Sequence, residues 1–417
     1  MLNLQAIFGT RNISIYKQYS RRLKTGLLTK TDFKRILKVY NELFENPEPS
    51  GSEKQTSKIL INYLRNHTNP NRLLTNVGGY GVIADYSFGE KSNNTVLLRA
   101  DMDAVPVPKH GKLYSHQCGH NGHMSILLGV AELLKKKKEQ AQRKSKESVD
   151  NNLNGRVILL FQPSEENGQG AYKMINDPKF LDLNLKKENT KCFALHNIPN
   201  YPQGSVILTS TKIFSCASVG TKVSCQGETS HASIPNEGKN PYDVLIPFCS
   251  YVSNLPRQIA GFQRALVTPV NLTIGKEWNY GTSPGDGEFN FTLRSTSNEV
   301  MNEMKNAILN YPFDQNYQIG IKFNDDFPAS ENDPSSKKII IDSAQQLNYQ
   351  LIERKTAFPW SEDFSHFLLT FKGAIFGLGS GLNNSQLHTH NYQFPEEIIP
   401  YGINVFSNII ENILSQN

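Results

Sequence analysis

The sequence predicts an α/β protein carrying a smaller inserted α+β unit, and three observations support that prediction. Four short apolar runs, at 96–100, 156–162, 192–195 and 374–379, each lead into metal-binding or acid/base side chains. Runs of this kind read as strands, and an open α/β sheet builds its site from ligands at successive strand ends. Residues 218–323 then read strand, helix, strand, strand, helix, strand, the ferredoxin-like order. A chain of 417 residues also exceeds the roughly 250–300 that a single hydrophobic core sustains.

The elements follow in order. Residues 33–44 have helical periodicity, 46–51 form a breaker stretch, and 52–66 place Ile59, Leu60, Tyr63 and Leu64 on one helix face. Residues 78–87 and 94–99 read as neighbouring strands split by a Gly/Lys/Ser/Asn turn. The helix over 122–137 repeats Ile126, Leu127, Val130, Leu133 and Leu134 at the 3.6 period. Polar residues 138–154 read as a surface insertion. Residues 156–162 are almost continuously apolar, as in a strand buried on both faces, and a helix starts at 168. In the insert, strands cover 218–226, 266–274, 288–295 and 318–323, with helices over 241–255 and 298–310. Helices 335–347 and 396–414 complete the larger unit. The expected division is a basic extension (1–32), a first catalytic segment (33–212), an insert (213–325) and a second catalytic segment (326–417).

Composition narrows the class. The net charge of +6 is thinly spread, and Lys135–Lys138 read as a solvated helix end, so no nucleic-acid partner is expected. No run approaches the ~18–20 apolar residues of a membrane helix, so no membrane partner is expected either. Five cysteines without regular spacing argue against a disulfide framework and for a reducing compartment. Residues 1–31 lack Asp and Glu but carry Arg11, Lys17, Arg21, Arg22, Lys24 and Lys30. That composition is shared with transit peptides; the reading adopted is a basic extension on a cytoplasmic enzyme.

Chemistry concentrates in a few places. Glu165-Glu166 follows a buried strand and precedes a Gly-flanked helix start. Adjacent carboxylates there can divide labour, one binding a cation and the other accepting a proton from water. Cys118 and His120 offer a thiolate and an imidazole, both good ligands for zinc-like metals. His116, His120 and His123 crowd together, His388 and His390 follow a strand and a Gly-rich loop, and His196 follows the third run. The pattern points to a metal-dependent hydrolase.

Three ordered motifs sharpen this: Leu98-Arg-Ala-Asp-Met-Asp-Ala-Val-Pro106, His116-Gln-Cys-Gly-His-Asn-Gly-His123 and Phe161-Gln-Pro-Ser-Glu-Glu166. They resemble the amidohydrolase branch of the aminoacylase/carboxypeptidase metallopeptidase family, which includes hippurate and indoleacetyl-amino-acid hydrolases. Leu195-His196, Gly227-Glu-Thr-Ser-His-Ala-Ser-Ile-Pro235, Ser361-Glu-Asp-Phe364 and Leu387-His388 continue the likeness over roughly residues 33–410. The resemblance implies a zinc-peptidase-like three-layer catalytic domain with an inserted ferredoxin-like lid and dimerisation domain.

It also implies roles. Cys118, His120, Glu166, His196 and His388 match ligands for two divalent metal ions, with Zn or Mn expected and Co or Ni compatible with the donors. Glu165 matches the general base, which takes a proton from the attacking water and later hands it to the leaving nitrogen. Asp103 matches an acid that orients the metal shell, and Asp101 lies where distant relatives place a ligand histidine. His231 matches a lid histidine that polarises the scissile carbonyl, often from the partner subunit of a homodimer. Arg294, whose fork matches a carboxylate, reads equally as substrate anchor or surface arginine. His116, His123 and His390 are left as bystanders or in supporting positions.

Two departures stand out. Asn121 replaces the family's Asp after His120, and Tyr280-Gly-Thr-Ser-Pro-Gly-Asp-Gly-Glu288 replaces its Asn-x-x-Pro. The implied activity is hydrolysis of the amide bond of N-acyl amino acids. A dipeptidase or short-peptide carboxypeptidase on the same machinery, and a non-catalytic binding member, are the alternatives.

Overall fold

The computed structural model describes residues 26–89, 93–109, 111–143, 153–261, 264–275 and 279–415. Most of the basic extension, Arg11 to Lys24 included, and residues 144–152 of the polar insertion lie outside that range. The strands, in chain order, are β1 (Arg72–Val77), β2 (Gly81–Phe88), β3 (Thr95–Asp101), β4 (Gly155–Gln162), β5 (Thr190–Ile198), β6 (Val206–Thr209), β7 (Ala217–Gln226), β8 (Ser230–His231), β9 (Ala265–Ile274), β10 (Thr282–Ser283), β11 (Asp286–Ser295), β12 (Gln318–Phe327), β13 (Leu351–Arg354) and β14 (Lys372–Gly379). They form an eight-stranded sheet ordered β1-β2-β4-β3-β5-β14-β6-β13, a four-stranded sheet ordered β12-β7-β11-β9, and the pair β10-β8.

Two compact units result. One holds the described residues up to Lys212, Glu331–Thr356 and the described residues from His366 on; the other holds Ile213–Ser330 and Ala357–Ser365. Residues 357–365 therefore go with the insert, not with the segment 326–417 to which the sequence assigned them. Their backbone explains it. Phe358 donates its N–H to the Phe214 carbonyl, and Cys216 donates to the carbonyls of Phe358 and Trp360. The Phe214 ring packs 5.0 Å from Phe358 and 5.8 Å from Trp360.

In the first unit β4, β3, β5 and β14 run parallel side by side, so their carboxyl ends lie along one edge. These strands are buried on both faces. Val96, Leu98 and Ala100 join a core with Val157, Leu159, Phe161 and the helices Lys30–Glu45, His120–Arg143 and Ile399–Leu414. The alternate residues Leu97, Ile158 and Leu160 are equally buried, and alternation puts them on the opposite face. A sheet covered on both sides is the expected three-layer α/β arrangement. The sequence reading of β2 and β3 as neighbours needs correction: β4 lies between them, antiparallel to β2 and parallel to β3. A fully buried β3 requires a strand on each side, and the helix His120–Arg143 is the crossover that returns the chain for β4.

The helix Lys30–Glu45 opens with a capping box, in which Thr29 and Asp32 bond reciprocally. Asp32 also receives Arg35 and, from helix His120–Arg143, Lys136 at 2.8 Å. Burial raises the Asp32 pKa, but bonds from Lys136 and Thr29 outweigh it and hold the carboxyl at about 2, below its ordinary 3.8. A depressed carboxylate stabilises the fold above its unfolded value and loses that contribution as pH falls through the folded value. Asp32→Asn is thus expected to cost roughly 1–2 kcal/mol at pH 7, with the difference from wild type vanishing between about pH 4 and 2. Urea unfolding across that range checks it; a pH-independent difference would mean the charge is not responsible.

The second unit is a ferredoxin-like sheet, every neighbouring pair antiparallel. Val219, Val223, Phe289, Phe291 and Leu293 form its core with Leu245, Phe248 and Val252 of helix Tyr242–Ile259 and Met301, Met304 and Ile308 of helix Asn298–Leu309. No helix among the described residues is long and apolar enough to cross a membrane.

Candidate metal centre

The parallel strands deliver their site residues to one edge of the first unit. β3 ends at Asp101 with Asp103 two residues on, the loop after β4 carries Glu165 and Glu166, β5 holds His196 just before its end, and His388 follows β14. Cys118 and His120 open the helix His120–Arg143. Gly119 between them has φ +98°, and a Cβ there would sit 2.6 Å from the Asn197 amide oxygen, so the Cys-Gly-His turn depends on glycine.

The ligand atoms converge. Cys118 Sγ lies 3.5 Å from His196 Nε2, and Glu166 Oε1 lies 3.6 Å from His120 Nε2 and 3.4 Å from His388 Nε2. Cys118, His120 and His196 form one set of ligand atoms within 4.8 Å of one another, and Cys118, Glu166 and His388 form a second. The two sets share the cysteine. Glu165 joins His120 and Glu166 in a third.

Hydrogen bonds fix the imidazoles. His120 Nδ1 is 2.8 Å from the Asp103 carbonyl and His196 Nδ1 is 2.9 Å from the Asn197 carbonyl. A carbonyl only accepts, so each Nδ1 carries hydrogen and each Nε2 is the nitrogen left facing the cluster, as in metal-ligating histidines. His123 differs. Its Nε2 accepts the Asn197 N–H at 3.2 Å and its Nδ1 donates to Asp101 at 2.7 Å, so neither nitrogen is left for a cation. Asp101 also accepts Arg99 Nη1 at 2.7 Å, and Arg99 is itself held by Gln162. Arg99 and Gln162 were not identified as site support from sequence, although an arginine inside an apolar strand is the signal for a buried partner.

The electrostatics suit cations. Burial opposes ionisation of Asp101, but His120, His123 and Arg99 hold its carboxyl well below the usual range. Burial pulls the His120 imidazolium down, and Asp101, Asp103 and Glu166 overcome it, raising its pKa to about 10. Burial, with Glu166, Glu165 and Asp101 nearby, pushes the Cys118 thiol well up, so it ionises only if a cation compensates. His120 Nε2, Glu166 Oε1 and Asp103 Oδ1 are buried without a hydrogen-bond partner. Buried ligand atoms without hydrogen-bond partners on a soft-plus-hard donor set are what a divalent ion satisfies, and the residues fit one.

The remaining candidates sort themselves. Asp103 Oδ2 accepts Ser50 Oγ at 2.7 Å and the Glu166 N–H at 3.0 Å, bracing the loop. Asn121 is fully buried but is not the partner of His120, whose Nδ1 goes to Asp103 instead. His116 is buried, and burial with His120 nearby lowers its pKa to about 3, so it stays neutral. His390 is exposed and donates to the Pro108 carbonyl. His231 and Arg294 belong to the second unit.

A profile of peptidase family M20/M25/M40 matches residues 97–412. The chain belongs to this family. Within it, the chain is similar to the N-acetyl-L-cysteine deacetylase of Bacillus subtilis, 28% identical over 82% of this chain and 80% of that one. It is also similar to thermostable carboxypeptidase 2 of Saccharolobus solfataricus, 27% identical over 83% of this chain and 86% of the relative. The fold is that of a Bacillus subtilis protein described as a dinuclear metal binding peptidase from the M20 family. The TM-score is 0.72 at 22% identity, covering 94% of this chain and 100% of the other. This M20 protein is a metal-dependent amidohydrolase.

Proposed function

We propose that the enzyme hydrolyses the amide bond of N-acyl amino acids at a centre holding two divalent ions. The two three-ligand sets sharing Cys118 carry this reading, with Glu165 placed beside one of them. Ions held by Cys118, His120, Glu166, His196 and His388 would lower the pKa of water and polarise the substrate carbonyl. Glu165 accepts the proton of the attacking water and returns it to the leaving nitrogen, splitting a costly charge separation into two short transfers. Asp103 keeps His120 turned inward and fixes the backbone of Glu166.

Two residues of the second unit complete the proposal. His231 is exposed, and its Nδ1 is engaged locally by Ser233, 3.2 Å from the backbone N–H and 2.7 Å from Oγ, so Nε2 is the nitrogen turned to solvent. An Nε2–H donor is the form that stabilises a developing oxyanion. Arg294 is half-buried and makes no ion pair among the described residues; its Nη1 donates to the Pro359 carbonyl and Ser361 Oγ at 3.1 Å. A guanidinium pinned on one side without a carboxylate partner supports a role in anchoring the substrate carboxylate.

The similarity to a deacetylase of an N-acetyl amino acid favours this substrate class, and the similarity to a carboxypeptidase favours the peptidase alternative. Metal-reconstituted enzyme assayed on N-acetyl and N-benzoyl amino acids, their carboxamides and dipeptides decides. Expected is a kcat/KM at least tenfold higher for N-acyl amino acids than for dipeptides, and a loss on carboxamides that Arg294→Ala abolishes. Preference for dipeptides would replace this reading with the peptidase one.

A further inference from the structure

We propose that Glu53 is a positioning residue for Glu165, acting through the backbone of the acid loop; this rests on the reading of Glu165 as the base. Glu53 stands at the N-cap of helix Lys54–His67, and its side chain makes no capping bond to that helix. It is 0% exposed, and its Oε1 instead accepts the N–H of Gly51 at 2.8 Å and of Ser164 at 2.7 Å. Ser164 adopts φ +57°, a left-handed conformation that a serine keeps only when its surroundings enforce it. The bond from Glu53 is that enforcement, applied one residue before Glu165.

The other side of Glu165 is held in the same way. The Glu166 N–H ends on Asp103, which Ser50 also grips. The amides flanking the proposed base therefore terminate on two buried carboxylates, and both are tied to the short segment around residues 48–53. That segment is itself anchored, since Ala104 donates its N–H to the Glu48 carbonyl at 2.8 Å and Glu48 caps the helix through Gln55 and Thr56. Glu53 has no cationic partner among the described residues. Burial, and then Asp103, raise its carboxyl to about 7. A buried carboxylate whose Oε1 is bonded to two backbone amides is placed to hold those amides.

Glu53→Ala removes the acceptor, Glu53→Asp withdraws it by one methylene, and Glu53→Gln keeps a carbonyl oxygen in place. Expected is a kcat reduced about 10–100-fold in the Ala and Asp variants at unchanged KM and unchanged metal content, with most of the rate restored in Gln. Elemental analysis and thermal melting on the same preparations separate this from a structural role. Should the Ala variant not fold, Asp against Gln carries the comparison. Full kcat in the Asp variant overturns the proposal, as does a loss that follows metal content or is equal in Gln and Asp. Glu165→Gln is measured alongside. If that variant remains active, the reading of the base has failed; if it is inactive while Glu53→Asp is fully active, only the role of Glu53 has.

Discussion

Glu165→Gln is expected to lower kcat by about 10²–10⁴-fold while leaving bound metal unchanged. The two neighbouring acids occupy different positions, and the separation of effects follows from them. Glu166 Oε1 stands between His120 Nε2 and His388 Nε2 at 3.6 and 3.4 Å, so it binds whatever those imidazoles bind. Glu165 groups with His120 and Glu166, and it is not a member of the set of Cys118, His120 and His196 or of the set of Cys118, Glu166 and His388. A glutamine at 165 keeps the shape and one acceptor oxygen but cannot take a proton at neutral pH. Glu166→Gln is expected to do the reverse, losing metal first and activity in consequence. Steady-state kinetics paired with elemental analysis reads both, and loss of metal in Glu165→Gln would make it a ligand.

The candidate ligands were legible in the sequence because their signal is chemical and local. A Cys-x-His turn, an acid pair after an apolar run and a histidine closing another run keep their meaning without coordinates. The ferredoxin-like order was legible because alternation and helical period change visibly between 213 and 325. Four things were not. Strand adjacency was misread at β2 and β3, since a hairpin and a crossover leave the same local pattern and only burial on both faces decides. The attachment of residues 357–365 to the insert depends on backbone pairing with residues 214 and 216, more than 100 positions away. Glu53 was hidden for a different reason: an acid at a helix start has an ordinary electrostatic explanation, and its bond to Ser164 crosses 111 positions of sequence. The left-handed backbone of Ser164 and His388 likewise leaves no compositional trace, because neither is glycine.

Cys118→Ala is expected to reduce occupancy of both ions, whereas His196→Ala and His388→Ala each weaken chiefly one. The cysteine is common to the set of Cys118, His120 and His196 and the set of Cys118, Glu166 and His388; of these two sets, His196 belongs to the first and His388 to the second. Sulfur suits a shared position because it is large and polarizable, and the surrounding Glu166, Glu165 and Asp101 offset the charge of two cations but not of an isolated thiolate. The same surroundings predict little harm to the metal-free fold. The thiol is neutral there and buried to 5% exposure, so alanine removes one atom and relieves no charge. Metal-dependent stabilisation should shrink instead: an ion present at 100 times its Kd adds about 2.7 kcal/mol to the folded state, and that increment vanishes with the site. Calorimetric titration with zinc, combined with melting before and after chelation, measures both quantities. Two ions bound per chain in Cys118→Ala would remove the cysteine from the shared position and leave the two sets as separate sites.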